Sequence, residues 1–88
     1  MLVEVELFGR MSRIVGAGKI PLQVPSEAKV KEILQTLLLK YGEEVRPFLL
    51  DRENRSVVAI LVNERHVSFD NELQEGDVIT LVPILAGG

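Results

Sequence analysis

The sequence contains no cysteine and no tryptophan. Without thiols there is no disulfide framework, no thiolate nucleophile and none of the commonest zinc sites. Aromatics are scarce, at three Phe and one Tyr, so a core must be assembled from aliphatic side chains. There is one histidine, His66. A lone histidine beside a turn is ordinarily a surface residue, metal ligands do not cluster, and no Ser-His-Asp arrangement can be read from the spacing. The net charge of −3 is scattered, and the basic patch or stripe of a nucleic-acid binder is missing. The one charge cluster, Asp51 to Arg55, mixes both signs as a solvated loop does. The longest purely apolar run, Val57 to Val62, is far too short to span a bilayer. Met1 to Glu6 lacks the basic start and apolar run of a signal peptide. A cytoplasmic protein is expected, with no nucleic-acid or membrane partner.

What the chain does have is aliphatic material: 47% of its 88 residues are hydrophobic. That length is one domain, and a domain this small buries only about 60–65% of its unfolded surface, so the core must be efficient. Val3, Val5 and Leu7 alternate with Glu4 and Glu6, which predicts a half-buried strand over residues 2–8. Gly16-Ala17-Gly18 reads as a turn, and Ile20, Leu22 and Val24 predict a second strand close enough to form a hairpin with the first. Pro21, lacking an N–H, suits an edge strand. Val30, Ile33, Leu34, Leu37, Leu38 and Tyr41 form one helical stripe, closed by Gly42. The helix start is open between an early cap at Ser26 and a boundary at Lys29, a poor capping residue. Residues 43–56 predict a loop with at most one helical turn. Val57 to Val62 reads as a central strand buried on both faces, Arg65 to Val67 as a short return strand, Gln74 to Asp77 as a tight turn, and Val78 to Ile84 as the last strand. The order is that of an α+β, β-grasp fold: a mixed sheet of four to five strands with one main helix across it. The expected organisation is one domain over 1–84 and a flexible tail over 85–88.

No side-chain constellation offers catalysis. Gly16-Ala17-Gly18-Lys19 has the look of a phosphate loop but fails its pattern: Arg13 stands where the first glycine is needed and Ile20 where Ser or Thr is needed. The chemistry that remains is at the end of the chain. Two terminal glycines arise by chance in roughly one chain in 200 at ordinary glycine usage, and here only Leu85 and Ala86 separate them from a strand. Without Cβ atoms, Gly87 and Gly88 can thread a narrow channel and adopt backbone angles closed to other residues. That leaves the Gly88 carboxylate open to attack once it is activated, for instance as an adenylate.

The segment Asn63 to Asp70, with Leu73, Gly76-Asp77, Leu81-Val82-Pro83 and Ala86-Gly87-Gly88, resembles the small subunit of molybdopterin synthase. Leu7-Phe8, Arg13 and Val30 with Ile33-Leu34 fit the same family, and the likeness spans the chain. It departs from the family's pattern at Asn63-Glu64, often Asn-Gly, at Ile84, often a second proline, at Lys29, usually a capping Thr, and in the longer 43–56 loop. The resemblance implies a ubiquitin-like sulfur carrier that is no enzyme by itself and holds no permanent cofactor or metal. By the same resemblance, a ubiquitin-activating-type enzyme would use ATP and magnesium to adenylate Gly88, and a sulfur donor enzyme would convert the adenylate to a thiocarboxylate. The tail would then enter the large subunit, in a heterotetramer, where sulfur would pass to precursor Z. Two other outcomes stay open: a protein modifier joined to lysines through Gly88, and a thiamine-pathway carrier. The resemblance also implies a partner surface on the open sheet face at Phe8, His66, Val82 and Pro83. The late strand supports an exposed apolar face, since both its sides are apolar while only one can meet the helix. The alternative is that the 43–56 loop folds over that face.

Overall fold

Alternation decides the first layer. Val3, Val5 and Leu7 are buried while Glu4 and Glu6 stay half-exposed, and the same pattern recurs at Ile20 and Leu22 and at Ile79 and Leu81. The structure is a computed structural model that describes residues 1–84. Its elements are β1 (Leu2–Glu6), α1 (Gly9–Val15), β2 (Lys19–Gln23), α2 (Val30–Tyr41), a 3-10 turn (Gly42–Glu44), α3 (Arg46–Leu49), β3 (Val58–Val62), β4 (Arg65–His66) and β5 (Val78–Pro83). They form one five-stranded sheet in the order β2-β1-β5-β3-β4. β1 runs parallel to β5 and every other pair is antiparallel. The α2 stripe, Val30, Ile33, Leu34 and Leu37, is buried in one core with the inward side chains of the strands. Each such side chain contributes about 1.5–3 kcal/mol by leaving water. This is the β-grasp architecture, and Pro21 sits on the edge strand β2 as expected. The expected tail, 85–88, lies outside the described residues.

Three sequence expectations change, and one left open is decided. β1 and β2 pair antiparallel as the expected hairpin, but their connection is more than the Gly16 to Gly18 turn, because it carries α1, a helix that buries only Met11 and ends on Gly16 in the left-handed region, φ 89°. Second, Val57 to Val62 is not buried on both faces. Val58, Ile60 and Val62 point into the core, whereas Ala59 and Leu61 are half-buried on the far side; β3 is an inner strand as expected, between β4 and the middle strand β5. Third, residues 43–56 contain two helical turns, and Val45 and Leu49 belong to the core shared with α2. The segment therefore lies on the helix side and leaves the other face of the sheet bare. The open helix start falls at the Lys29 boundary and not at Ser26, so α2 begins at Val30 despite the poor cap. The Lys29 N–H donates to Glu32 Oε1 at 3.2 Å, and the Val30 and Lys31 N–H groups donate to the carbonyls of Asn71 and Phe69, both at 3.0 Å. A distant loop thus takes the place of a capping side chain, satisfying donors that a helix start otherwise leaves orphaned.

The tip of the 51–55 loop is held by Asp51, whose Oδ1 accepts from the Glu53 and Arg55 N–H groups at 2.8 and 2.9 Å. The Arg55 N–H above all holds the Asp51 carboxyl below the usual carboxylate range.

Two turns at the opposite end are stitched together. Asn63 and Glu64 connect β3 to β4 as a two-residue turn, with φ of 51° and 71°, the paired positive angles of type I′. The turn is tight although glutamate replaces the favoured glycine. Asn63 compensates: its Nδ2 donates to Asp77 Oδ1 at 2.9 Å and its Oδ1 accepts from the Val78 N–H at 3.0 Å, tying the turn to the start of β5. A left-handed angle costs an L-residue about 1–2 kcal/mol, partly offset by the extra chain entropy glycine loses on folding. Glu64→Gly should therefore stabilise the protein by about 0.5–1 kcal/mol. Urea unfolding should show a higher midpoint at unchanged slope; a midpoint equal to or below that of wild type would contradict this account of the turn.

Candidate functional site

Leu85, Ala86, Gly87 and Gly88 lie outside the described residues, so the site is defined by where β5 delivers them. β5 is the middle strand, flanked by β1 and β3. Its neighbours therefore hold it on both sides while its C-terminal end points out of the fold. The Ile84 N–H donates to the Val57 carbonyl at 3.2 Å, and Ile84 is 57% exposed. The tail thus starts from the surface, next to the first residue of the β3 run.

Among the described residues no element covers the face opposite α2. The register aligns its side chains in rows across the strands. Val82 pairs with Ala59. Continuing the β1–β5 register from Glu6↔Thr80 sets Phe8 level with Val82, and Phe8 is in extended conformation, φ −129° and ψ 161°. Phe8 is 48% exposed. The row closest to the tail is therefore apolar: Phe8, Val82 and Ala59. The next row is mixed. Lys19, Glu6, Thr80, Leu61 and His66 follow one another from β2 to β4, with the Thr80 hydroxyl donating to Glu6 Oε1 at 3.2 Å. Beyond it, Glu4 lies level with Val78 and forms an ion pair with Lys19 at 3.4 Å.

Of the four surface residues expected from the sequence, Phe8, Val82 and His66 lie on this face and His66 is one row removed. Pro83 does not belong with them. It pairs with Val58, whose side chain is buried, so it shares the helix side with Ile79 and Leu81. Alternation along β5 already implied this, because odd positions of that strand point inward. Ala59 and Leu61 are additions. They were passed over because Val57 to Val62 read as doubly buried; a two-residue turn after Val62 makes β4 a short edge strand and leaves the outer side of β3 uncovered.

A second depression of about 330 Å³ lies on the helix side, where Leu34, Leu38, Leu50 and Phe69 meet Lys31 and Gln35. Among the described residues no group of three or more His, Cys, Asp or Glu is placed to hold a metal ion, and no helix is long and apolar enough to cross a membrane. What the described residues offer is an apolar row beside the end of β5, the strand from which the tail leaves.

Known proteins are similar to this chain in sequence and fold. The chain is 29% identical over 86 residues to the molybdopterin synthase sulfur carrier subunit of Arabidopsis thaliana, covering 98% of this chain and 82% of that protein. It is 28% identical over 92 residues to small archaeal modifier protein 3 of Haloferax volcanii, covering both in full. Among solved structures, SAMP1 from Haloferax volcanii superposes with a TM-score of 0.85 at 19% identity over the whole of both chains, which is a likeness of fold. In the complex of subunits 1 and 2 of the molybdopterin-converting factor from Helicobacter pylori, one chain matches with a TM-score of 0.60 at 27% identity, again over the whole of both. The family profile described as the ThiS family matches residues 5–88, which include both terminal glycines and all but the first four residues, and the chain belongs to that family.

Proposed function

We propose that this chain is a sulfur carrier that works through the Gly88 carboxylate and serves as the small subunit of a molybdopterin synthase. The observation that carries the reading is the pairing of a Gly-Gly terminus with the end of the middle strand, beside an uncovered apolar row. The terminus supplies the chemistry and the row supplies a place for the protein that performs it. In the first step, a carboxylate oxygen of Gly88 attacks the α-phosphorus of ATP on an adenylating enzyme that also uses magnesium, and pyrophosphate leaves. A sulfur nucleophile at the oxidation level of sulfide, supplied by a donor enzyme, then displaces AMP and leaves a thiocarboxylate. Inside the large subunit, the sulfur attacks a carbon of the precursor and displaces an oxygen substituent from it, which joins the two by an acyl–sulfur–carbon link, and water then cleaves the acyl–sulfur bond to return the carboxylate and leave the sulfur on the precursor. The named relatives support this pathway: one is a molybdopterin synthase sulfur carrier subunit, and another was solved with its subunit 2.

A second reading shares the activation step. If a lysine amine attacks the adenylate, the chain becomes a protein modifier, which the name of the Haloferax volcanii relative favours; a thiamine-pathway carrier would use the same tail. Intact-mass measurement on the chain isolated from its own cells tests the carrier role. The expected result is a population in which one terminal oxygen is replaced by sulfur, growing when the large subunit is depleted. A chain found only as free carboxylate or as isopeptide conjugates would sink it.

A further inference from the structure

Next to the apolar row, the bare face carries a trough of about 340 Å³ that straddles β5, lined by Glu6, Lys19, Asn63, Glu64, Val78 and Thr80. Its floor is made of short side chains, Val78 and Thr80, and its two walls carry carboxylates, Glu6 from β1 and Glu64 from the β3–β4 turn. Lys19 is engaged with Glu4 at 3.4 Å. Neither Glu6 nor Glu64 has a cationic partner among the described residues. Glu6 accepts only the Thr80 hydroxyl, which leaves it acceptor capacity. Counting Glu4, Glu6 and Glu64 against Lys19 gives this part of the face a net charge of −2. It adjoins Phe8, Val82 and Ala59 without a break.

We infer that the adenylating partner docks on this face with a cationic side chain, Arg or Lys, seated in the trough between Glu6 and Glu64, one strand row away from an apolar group held against Phe8 and Val82. This rests on the reading given under Proposed function and specifies the chemistry of the partner surface. The spacing follows from the strand: Thr80 and Val82 are two residues apart, about 7 Å, so the partner must present its cation and its apolar group at about that separation. The apolar row excludes water and contributes area. The trough fixes the orientation, because a cation placed anywhere else on the apolar row would lose its hydration without a compensating carboxylate. A like-charged or acidic surface is rejected for the same reason. The floor of Thr80 and Val78 leaves room for a long stem between the walls.

The test is ATP–pyrophosphate exchange by the purified adenylating enzyme of the same organism, with the full chain as the varied substrate. Charge reversal of either wall, Glu6→Lys or Glu64→Lys, should raise KM about tenfold at low salt with kcat unchanged, as expected when a steering contact outside the chemistry is lost. The gap should close at about 1 M salt, where the screening length is about 3 Å. Glu44→Lys makes the same charge change on the exposed 3-10 turn, away from the bare face, and at about 0.1 M salt, where the screening length is about 10 Å, should stay within about twofold of wild type while the wall variants still differ from it. Glu6→Gln keeps the acceptor for Thr80 and guards against a folding defect; it should show an intermediate KM. Glu64→Gly separates stability from docking, since it should unfold at higher urea yet bind less well. KM values for both lysine variants equal to wild type, or a Glu44→Lys effect as large as theirs, would overturn the trough. If the wild-type chain supports no exchange at all, the carrier reading itself fails and the inference falls with it.

Discussion

Deleting Gly87 and Gly88 is expected to abolish activation while leaving the fold untouched. Every buried core side chain among the described residues lies between Val3 and Leu81, and glycine has no side chain to bury, so the melting temperature should not move. The carboxylate, however, would then sit on Ala86, retracted by two residues, about 7 Å of extended chain. A reacting atom misplaced by even about 1 Å can cost about a hundredfold in rate, and here a Cβ is also brought to the position that must pass through a narrow channel. ATP–pyrophosphate exchange should fall at least about a hundredfold, to the enzyme's background. Molybdenum-enzyme activity in cells carrying only the shortened chain should be lost. Retention of that cellular activity would leave a β-grasp binding module without tail chemistry as the better description.

The strands and α2 were legible because their signals are local. Alternation at Val3, Val5 and Leu7 and the stripe from Val30 to Tyr41 follow from the side-chain periods of the two structures. The edge position of Pro21 followed from its missing N–H. What escaped was information held by distant residues. The start of α2 depends on the carbonyls of Phe69 and Asn71, nearly forty positions away, so Lys29 looked like a poor boundary when read alone. α1 escaped because only Met11 is buried in it, too few apolar contacts to make a stripe. The depth of β3 was misjudged for a different reason: a run such as Val57 to Val62 does not say which strand covers its outer side. At the candidate site the terminus was readable, since its chemistry lies in backbone atoms and in the absence of Cβ. The surrounding face was readable only in part. Pro83 went to the wrong side when family likeness was allowed to outweigh the alternation of β5. Glu6 and Glu64 attracted no notice, because their meeting across β5 is a product of sheet order.

Neighbouring residues of β5 should give opposite results. Leu81 is fully buried, pairs with Ile60 on β3 and lies level with Leu7 on the β1 side, at the centre of the sheet. Leu81→Ala removes that volume from a core that cannot collapse around it, at a cost of about 3 kcal/mol, within the 2–5 kcal/mol usual for such sites. A domain of this size has a total stability of about 4–13 kcal/mol, so between a quarter and most of it is lost. The melting temperature should drop by about 12–24 °C, at 4–8 °C per kcal/mol for a chain this short. Val82 is half-buried on the bare face, opposite Ala59. A carboxylate there keeps its water, so Val82→Asp should cost the fold only about 1 kcal/mol of strand preference. Its effect should appear in docking instead. Placing a charge in the apolar row beside Phe8 should weaken binding to the molybdopterin synthase large subunit by about 2 kcal/mol or more, as for a central hot spot, which is about 30-fold in Kd. Thermal unfolding followed by circular dichroism, and calorimetric titration with the large subunit, separate the two. A Val82→Asp protein that melts as low as Leu81→Ala would make Val82 part of the core; one that is folded and binds like wild type would remove the bare face from the docking surface.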